Sequence, residues 1–179
     1  MKIIAARAQG TFAPGERDHK KRNDEVRQKG VSAMKINTTR FGDLKIDPED
    51  IILFSGGLFG FEKCRQWLLL ADAENAAVGW LQCATRPEIA VAVVSPRRFV
   101  PDYRVKISRE DLTSLRLGSE DEVYVLSVVG RNHQALTLNL KAPLIVNLRR
   151  LLGCQVIVKD DQPLQYEFAA DPVILRKSA

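Results

Sequence analysis

The side chains of this sequence that could do acid–base or metal chemistry are few and poorly placed for it. Its two histidines are His19, in a polar amino-terminal stretch, and His133, in a predicted turn, so a histidine triad or metal cluster would rest on His133 alone. Cys64, Cys83 and Cys154 are odd in number, far apart and without CxxC spacing, and are read as reduced thiols with no metal to hold. Glu62, Asp102 and the acid run Glu120–Glu122 could supply paired carboxylates, yet carboxylates at turns are ordinarily solvated. The glycine-rich stretch Ser55–Glu62 lacks both the Gly-Lys-Ser/Thr ending of a phosphate loop and GxGxxG spacing. No catalytic, cofactor or metal constellation emerges, and binding is the function class the residues favour. The polar groups that stand out are Asn139 and Asn147, because asparagine is depleted in strands and its amide needs partners. They either tie off backbone groups or face another molecule.

The elements that position these residues read mainly as β. In LTLNLKAPLIVN, Leu136, Leu138 and Leu140 alternate with Thr137, Asn139 and Lys141, the period of a strand with one wet face. Pro143 interrupts it, since proline donates no ladder hydrogen bond, and Leu144–Val146 follow as a second apolar run. Upstream, Ile36–Phe41 and Leu44–Ile46 predict a hairpin turning at Gly42-Asp43, and Ile51–Phe54 predicts a strand that empties into Ser55–Glu62. Phe59 and Phe61 in that turn are read as plugs of a barrel mouth, with ligand contact as the alternative. Gln66–Leu70, Val78–Cys83, Ile89–Val94, Arg104–Ile107, Glu122–Val129 and Cys154–Val158 are further strands, with Leu164–Phe168 as an edge strand. SPRRFVPDY, residues 95–103, is a loop because Pro96 and Pro101 forbid regular pairing; a tyrosine packed under it is the plainer reading of Tyr103. Ser108 with Glu110 and Asp111 predicts the start of a short helix over Leu112, Leu115 and Leu117, and Leu148–Leu152 a helical turn closed by Gly153. Roughly ten short strands against one or two short helices predict a small, closed, antiparallel β-barrel-like domain, because closure removes exposed edges.

Charge separates the chain into two parts. Of 27 Lys and Arg and 22 Asp and Glu, residues 1–33 hold eight and four, which leaves 19 against 18 in the remainder. The basic pI therefore belongs largely to the first 33 residues, and the nearly neutral body has no footprint for a polyanion. Residues 1–33 show no apolar period and are expected to form a disordered basic leader, with Met34 as an alternative translation start and residues 34–179 as the folded domain. Intact mass of the native protein tests that start. No apolar run approaches the roughly 20 residues of a membrane span, and no signal-peptide core is present, so a cytoplasmic location without membrane contact is expected. The competing binding class is a β-barrel module for single-stranded nucleic acid, for which Arg97, Arg98 and Phe99 are the one cluster interleaving cations with an aromatic ring.

The run MKINTTRFGDLKIDPEDIILF from Met34, GLFGFE from Gly57 to Glu62, WLQ from Trp80 to Gln82, PDY from Pro101 to Tyr103 and TLNLKAPLIVN from Thr137 to Asn147 together resemble the flagellar assembly factor FliW family. The resemblance covers about Met34 to Phe168. It implies a small β-barrel-like cytoplasmic protein, not an enzyme, that binds flagellin and antagonises the translational repressor CsrA without touching nucleic acid itself. On that implication the partner-binding residues are expected among Phe61, Glu62, Asp102, Tyr103, Asn139, Lys141 and Asn147.

Overall fold

The computed structural model describes residues 34–168; the expected leader, residues 1–33, and the residues after 168 lie outside the described range. Eleven strands form among the described residues: β1 Met34–Thr38, β2 Gly42–Ile46, β3 Ile51–Phe54, β4 Gln66–Ala71, β5 Val78–Cys83, β6 Ala90–Val94, β7 Tyr124–Arg131, β8 Leu136–Leu138, β9 Leu144–Asn147, β10 Leu152–Gln155 and β11 Tyr166–Phe168. Neighbour pairing runs β7-β6-β5-β4-β3-β10-β9 and returns to β7, so seven strands close a barrel. Strands β8 and β11 extend the sheet from β7, and β1–β2 is a separate hairpin. A closed ring of seven cannot alternate in direction all the way round. One neighbouring pair must run parallel, and it is β3–β10, with Leu53 opposite Leu152 and Phe54 opposite Gly153. The expected barrel is thus present, with one parallel seam where an all-antiparallel ring was expected.

Alternation along the strands sorts the apolar residues between two clusters. Ile52, Phe54, Trp67, Leu69, Leu81, Cys83, Val93, Leu144 and Val146 fill the barrel. The opposite faces of β4–β6, carrying Leu68, Leu70, Trp80 and Val94, are covered by Leu44 and Ile46 of the hairpin and by Leu136, Leu138 and Phe168 of the added strands. This second layer explains why QWLLLA and AVAVV are apolar at consecutive positions. Each large side chain such as Trp67 or Phe54, both fully buried, contributes roughly 1.5–3 kcal/mol of transfer free energy.

Several local expectations shift for identifiable reasons. The first hairpin turns at Thr39–Phe41, not at Gly42-Asp43, because Thr38 pairs with Gly42 and its Oγ1 accepts the Phe41 N–H. Gly42, at φ +65°, is the left-handed residue that completes such a three-residue loop. The segment after Ser108 forms only a 3-10 turn, Thr113–Leu115, although Ser108 Oγ does accept the Asp111 N–H. Its apolar face is too short: Leu115 is buried while Leu117 is exposed, and short helices are marginal without a packed face. Residues 104–107 form no strand, and Leu148–Leu151 is a turn in which Leu151, not Gly153, takes the left-handed conformation at φ +54°. Gly153 is instead a strand residue at the parallel seam.

Asn147 belongs to a lock that fastens the segment before β7 to the β9–β10 turn. Its Nδ2 donates to Leu115 O at 3.3 Å and Asp121 Oδ2 at 3.0 Å, and its Oδ1 accepts the Arg150 N–H. The Asp121 carboxylate, 1% exposed, also takes Arg150 Nε and the Gly118 N–H. The Arg150 hydrogen bond first, then those from Gly118 and Asn147, hold its pKa down at about 2 against an ordinary 3.8. A depressed carboxylate stabilises the fold above its unfolded pKa, and that stabilisation disappears as pH falls through the folded value. The thermal-stability advantage of the native chain over Asp121→Asn is therefore expected to be full at neutral pH and to shrink between about pH 4 and pH 2. Melting temperatures across that range check it.

No helix among the described residues is long and apolar enough to cross a membrane.

Candidate functional site: an aromatic loop clamped beside the barrel

The chain leaves β3 at Phe54 and must return as β4 at Gln66, and the glycine-rich sequence makes that return a compact loop. The N–H of Gly57 donates to Phe54 O, that of Phe61 to Leu58 O, and that of Cys64 to Phe61 O. Gly57 sits at φ +69°, and a Cβ there would lie 2.6–2.7 Å from backbone atoms of Phe61 and Glu62, so only glycine fits this crossing. Of the three large apolar residues, Leu58 turns inward and is 2% exposed, whereas Phe59 and Phe61 face outward at 51% and 38%. The expectation that both phenylalanines plug the barrel mouth is overturned: Leu58 takes that role, and the alternate placement along LFGF carries the rings to the surface. Phe61 rests edge-on against Trp67, and Trp67 Nε1 donates to Cys64 O.

The loop is held from both sides. Gln155 on β10 accepts the Phe59 N–H at Oε1, 2.9 Å, and donates from Nε2 to Ala142 O, also at 2.9 Å. Glu62 Oε1 accepts the Gly60 N–H at 2.8 Å. Hydrogen bonds from its own backbone N–H and that of Gly60 lower the Glu62 pKa, so the loop carries a fixed negative charge beside two exposed rings.

Through Gln155 this loop adjoins the bend after β8. Asn139 Oδ1 accepts the Ala142 N–H at 2.8 Å, its own N–H donates to Val128 O, and its carbonyl accepts Ser127 Oγ. Asn139 therefore shapes the bend from a half-buried position. Lys141 is also half-buried, with Nζ donating to Asp160 O. The face carrying Thr137, expected to be wet, is covered: Thr137 is 3% exposed, on a strand paired along both edges by β11 and β7.

The other members of the expected set lie differently. Tyr103 is 3% exposed and its hydroxyl donates to Leu140 O at 2.8 Å, so it supports the bend from beneath; burial, then the nearby Asp160 charge, pushes its pKa up to about 12. Asp102 beside it is exposed. Asn147 is fully buried in the Asp121 lock, and this burial leaves it nothing to offer a partner. The structure thus ties the loop that carries Phe61 and Glu62, through Gln155, to the bend that Asn139 shapes, and sets Asn147 apart. Gln155, whose two contacts span distant parts of the chain, carries no sequence signal. Phe59 was legible as an aromatic but not in its direction.

The groups considered for other chemistry are engaged elsewhere. Phe99 packs on Phe168 with ring centroids 4.5 Å apart, and Arg97 Nε donates to Tyr103 O, so the Arg97–Phe99 cluster offers no free stacking ring. Cys64 and Cys83 are buried in the barrel, where desolvation first and the Cys83 neighbour second raise the Cys64 thiol to about 11. A thiol so placed is a poor nucleophile.

The FliW protein family model matches residues 35–168 of this chain. The flagellar assembly factor FliW of Clostridium tetani is 36% identical over 131 residues, 72% of this chain and 90% of that protein. That of Magnetococcus marinus is 37% identical over 136 residues, covering 74% and 83%. A crystal structure of a flagellar assembly factor FliW superposes with a TM-score of 0.68 at 27% identity, covering 75% of this chain and 95% of that one.

Proposed function

The chain belongs to the FliW family of flagellar assembly factors, and from that membership we propose that it is a cytoplasmic protein that binds flagellin and antagonises the translational repressor CsrA. The observation that carries this reading is the pair of exposed rings, Phe59 and Phe61, on a loop braced by Gln155 and Glu62. Aromatic side chains are enriched at protein interfaces, where they serve as anchors. A loop fixed before binding loses little conformational freedom when a partner arrives. An amphipathic helix of flagellin would lay its apolar face over the two rings.

The regulatory logic is mass action. Each partner that occupies the protein lowers the free concentration available to the other. Flagellin accumulating in the cytoplasm would hold the chain and leave CsrA to repress flagellin translation; export of flagellin would release the chain to capture CsrA away from its RNA surface. Isothermal titration of the purified full chain with flagellin and with CsrA, singly and in competition, tests it. Binding of each, with one weakening the apparent affinity of the other, is the expected result. Heat signals absent for both would overturn the reading.

A further inference from the structure

One hydrogen bond ties the tip of the aromatic loop to another strand. The other hydrogen bonds that residues 55–63 make among the described residues are local: Gly57 N–H to Phe54 O, Phe61 N–H to Leu58 O, Cys64 N–H to Phe61 O and Gly60 N–H to Glu62 Oε1. The Phe59 N–H alone reaches out, to Gln155 Oε1 at 2.9 Å, across 96 residues of sequence. Gln155 can hold it because a primary amide carries an acceptor and a donor at one end of a side chain. Its Oε1 meets an N–H while its Nε2 meets the Ala142 carbonyl, also at 2.9 Å, so the reverse orientation would set like poles together at both contacts. Methionine of similar length offers neither group.

The far end of this tie is anchored in turn. Ala142 is buried, its N–H donates to Asn139 Oδ1 at 2.8 Å, and Asn139 is fixed by its own N–H on Val128 O and by Ser127 Oγ on its carbonyl. The residues on either side of Ala142 are pinned as well: Val156 N–H donates to Pro143 O, Val158 N–H to Lys141 O, and Lys141 N–H to Pro163 O. A continuous series of hydrogen bonds therefore runs from Asn139 through Ala142 and Gln155 to the backbone of Phe59. Phe59 itself stands between Leu58, buried in the core, and Gly60, at φ +83°. A glycine neighbour lets the tip backbone rotate, and the hydrogen bond to Gln155 removes that freedom. The conformational freedom of the tip is thus lost on folding and not on binding.

We propose that Asn139 and Gln155 are positioning residues for partner binding, which act without touching the partner by holding the Phe59 backbone, and so its ring, in one orientation. The inference rests on the reading of the aromatic loop as the docking surface. It gives Asn139 a part in binding that it exerts from a half-buried position.

Two measurements on the full chain test it. Amide hydrogen exchange without any partner reports the tie itself: in Gln155→Met the Phe59 amide is expected to exchange about fivefold faster than in the native chain, the order of one lost hydrogen bond. Asn139→Ala should speed the same amide about threefold, and Asn139→Asp, which keeps the oxygen that accepts the Ala142 N–H, by less than about twofold. Titration calorimetry with flagellin reports the consequence. Gln155→Met should weaken affinity about fivefold in the native chain but by less than about twofold in a Phe59→Ala background, where no ring is left to orient. A purely structural role would not produce that coupling. If Gln155→Met does not fold, Gln155→Asn, one methylene too short to span both contacts, is the second variant, with the same expectations. Unchanged exchange at Phe59 would overturn the proposal, as would equal effects of Asn139→Ala and Asn139→Asp. Equal losses of affinity in the two backgrounds would also overturn it, by making Gln155 a contact residue. Loss of affinity in Phe59→Ala with none in Gln155→Met would overturn the proposal and leave the loop as the docking surface; native affinity in Phe59→Ala would overturn the loop itself, and the proposal with it.

Discussion

Gly153→Ala is expected to lower the unfolding free energy by about 3 kcal/mol, a loss at the upper end of ordinary overpacking. The residue lies at the parallel seam opposite Phe54, whose ring is fully buried over it. A Cβ at position 153 would come within 2.6 Å of Phe54 Cε1 and Cε2 and closer still to Cζ. These are the outer atoms of a large ring that cannot swing aside, because Ile52, Trp67, Val146 and their neighbours fill the space around it. The melting temperature should fall by roughly 10 °C for a domain of this size. The cause is checked by a double-mutant cycle. Leucine at position 54 lacks the three offending atoms, so Gly153→Ala should cost much less in a Phe54→Leu background, with a coupling of at least about 1 kcal/mol. Additive effects would mean that the seam yields elsewhere.

The largest effect on binding is expected from Phe59→Ala combined with Phe61→Ala. If flagellin docks on these rings as proposed, truncating both should remove about 2–4 kcal/mol, or roughly 30-fold to 1,000-fold in affinity for flagellin. Stability should change little, because Phe59 is 51% exposed and the loop is held by Leu58, Gly57 and Gln155, none of which is altered. Phe61 also touches Trp67 edge-on, so the single variant Phe59→Ala is the cleaner control for folding. Titration calorimetry paired with thermal unfolding separates the outcomes. Native affinity in the double variant would move the contact surface away from this loop.

Both expectations depend on contacts between residues far apart in the chain, and this marks the boundary of what could be read in advance. The β character, the closure into a barrel and the covered strands were legible because apolar alternation and uninterrupted apolar runs are local properties. The proline bend at Pro143 was legible for the same reason, since a missing N–H needs no tertiary context. Family membership was legible too, through five short motifs in order. By contrast, a structural tie was the plainer reading of Tyr103 and of Asn147, but the groups they tie to were not legible, because side-chain chemistry fixes what a group needs and not who supplies it. Leu140 O and the Asp121 lock supply it here, from 37 and 26 residues away.

The inward turn of Leu58 and the outward turn of Phe59 and Phe61 were decided by a bracing glutamine 96 residues from Phe59 and by a glycine crossing with no room for a side chain. The sequence by itself determined that this chain builds a closed β scaffold of nearly neutral charge, because periodicity and composition act residue by residue. Only the tertiary structure decided which aromatics meet water and which asparagines are spent internally. Those depend on how seven strands meet around a ring, and an odd ring forces one parallel seam that no single stretch of sequence encodes.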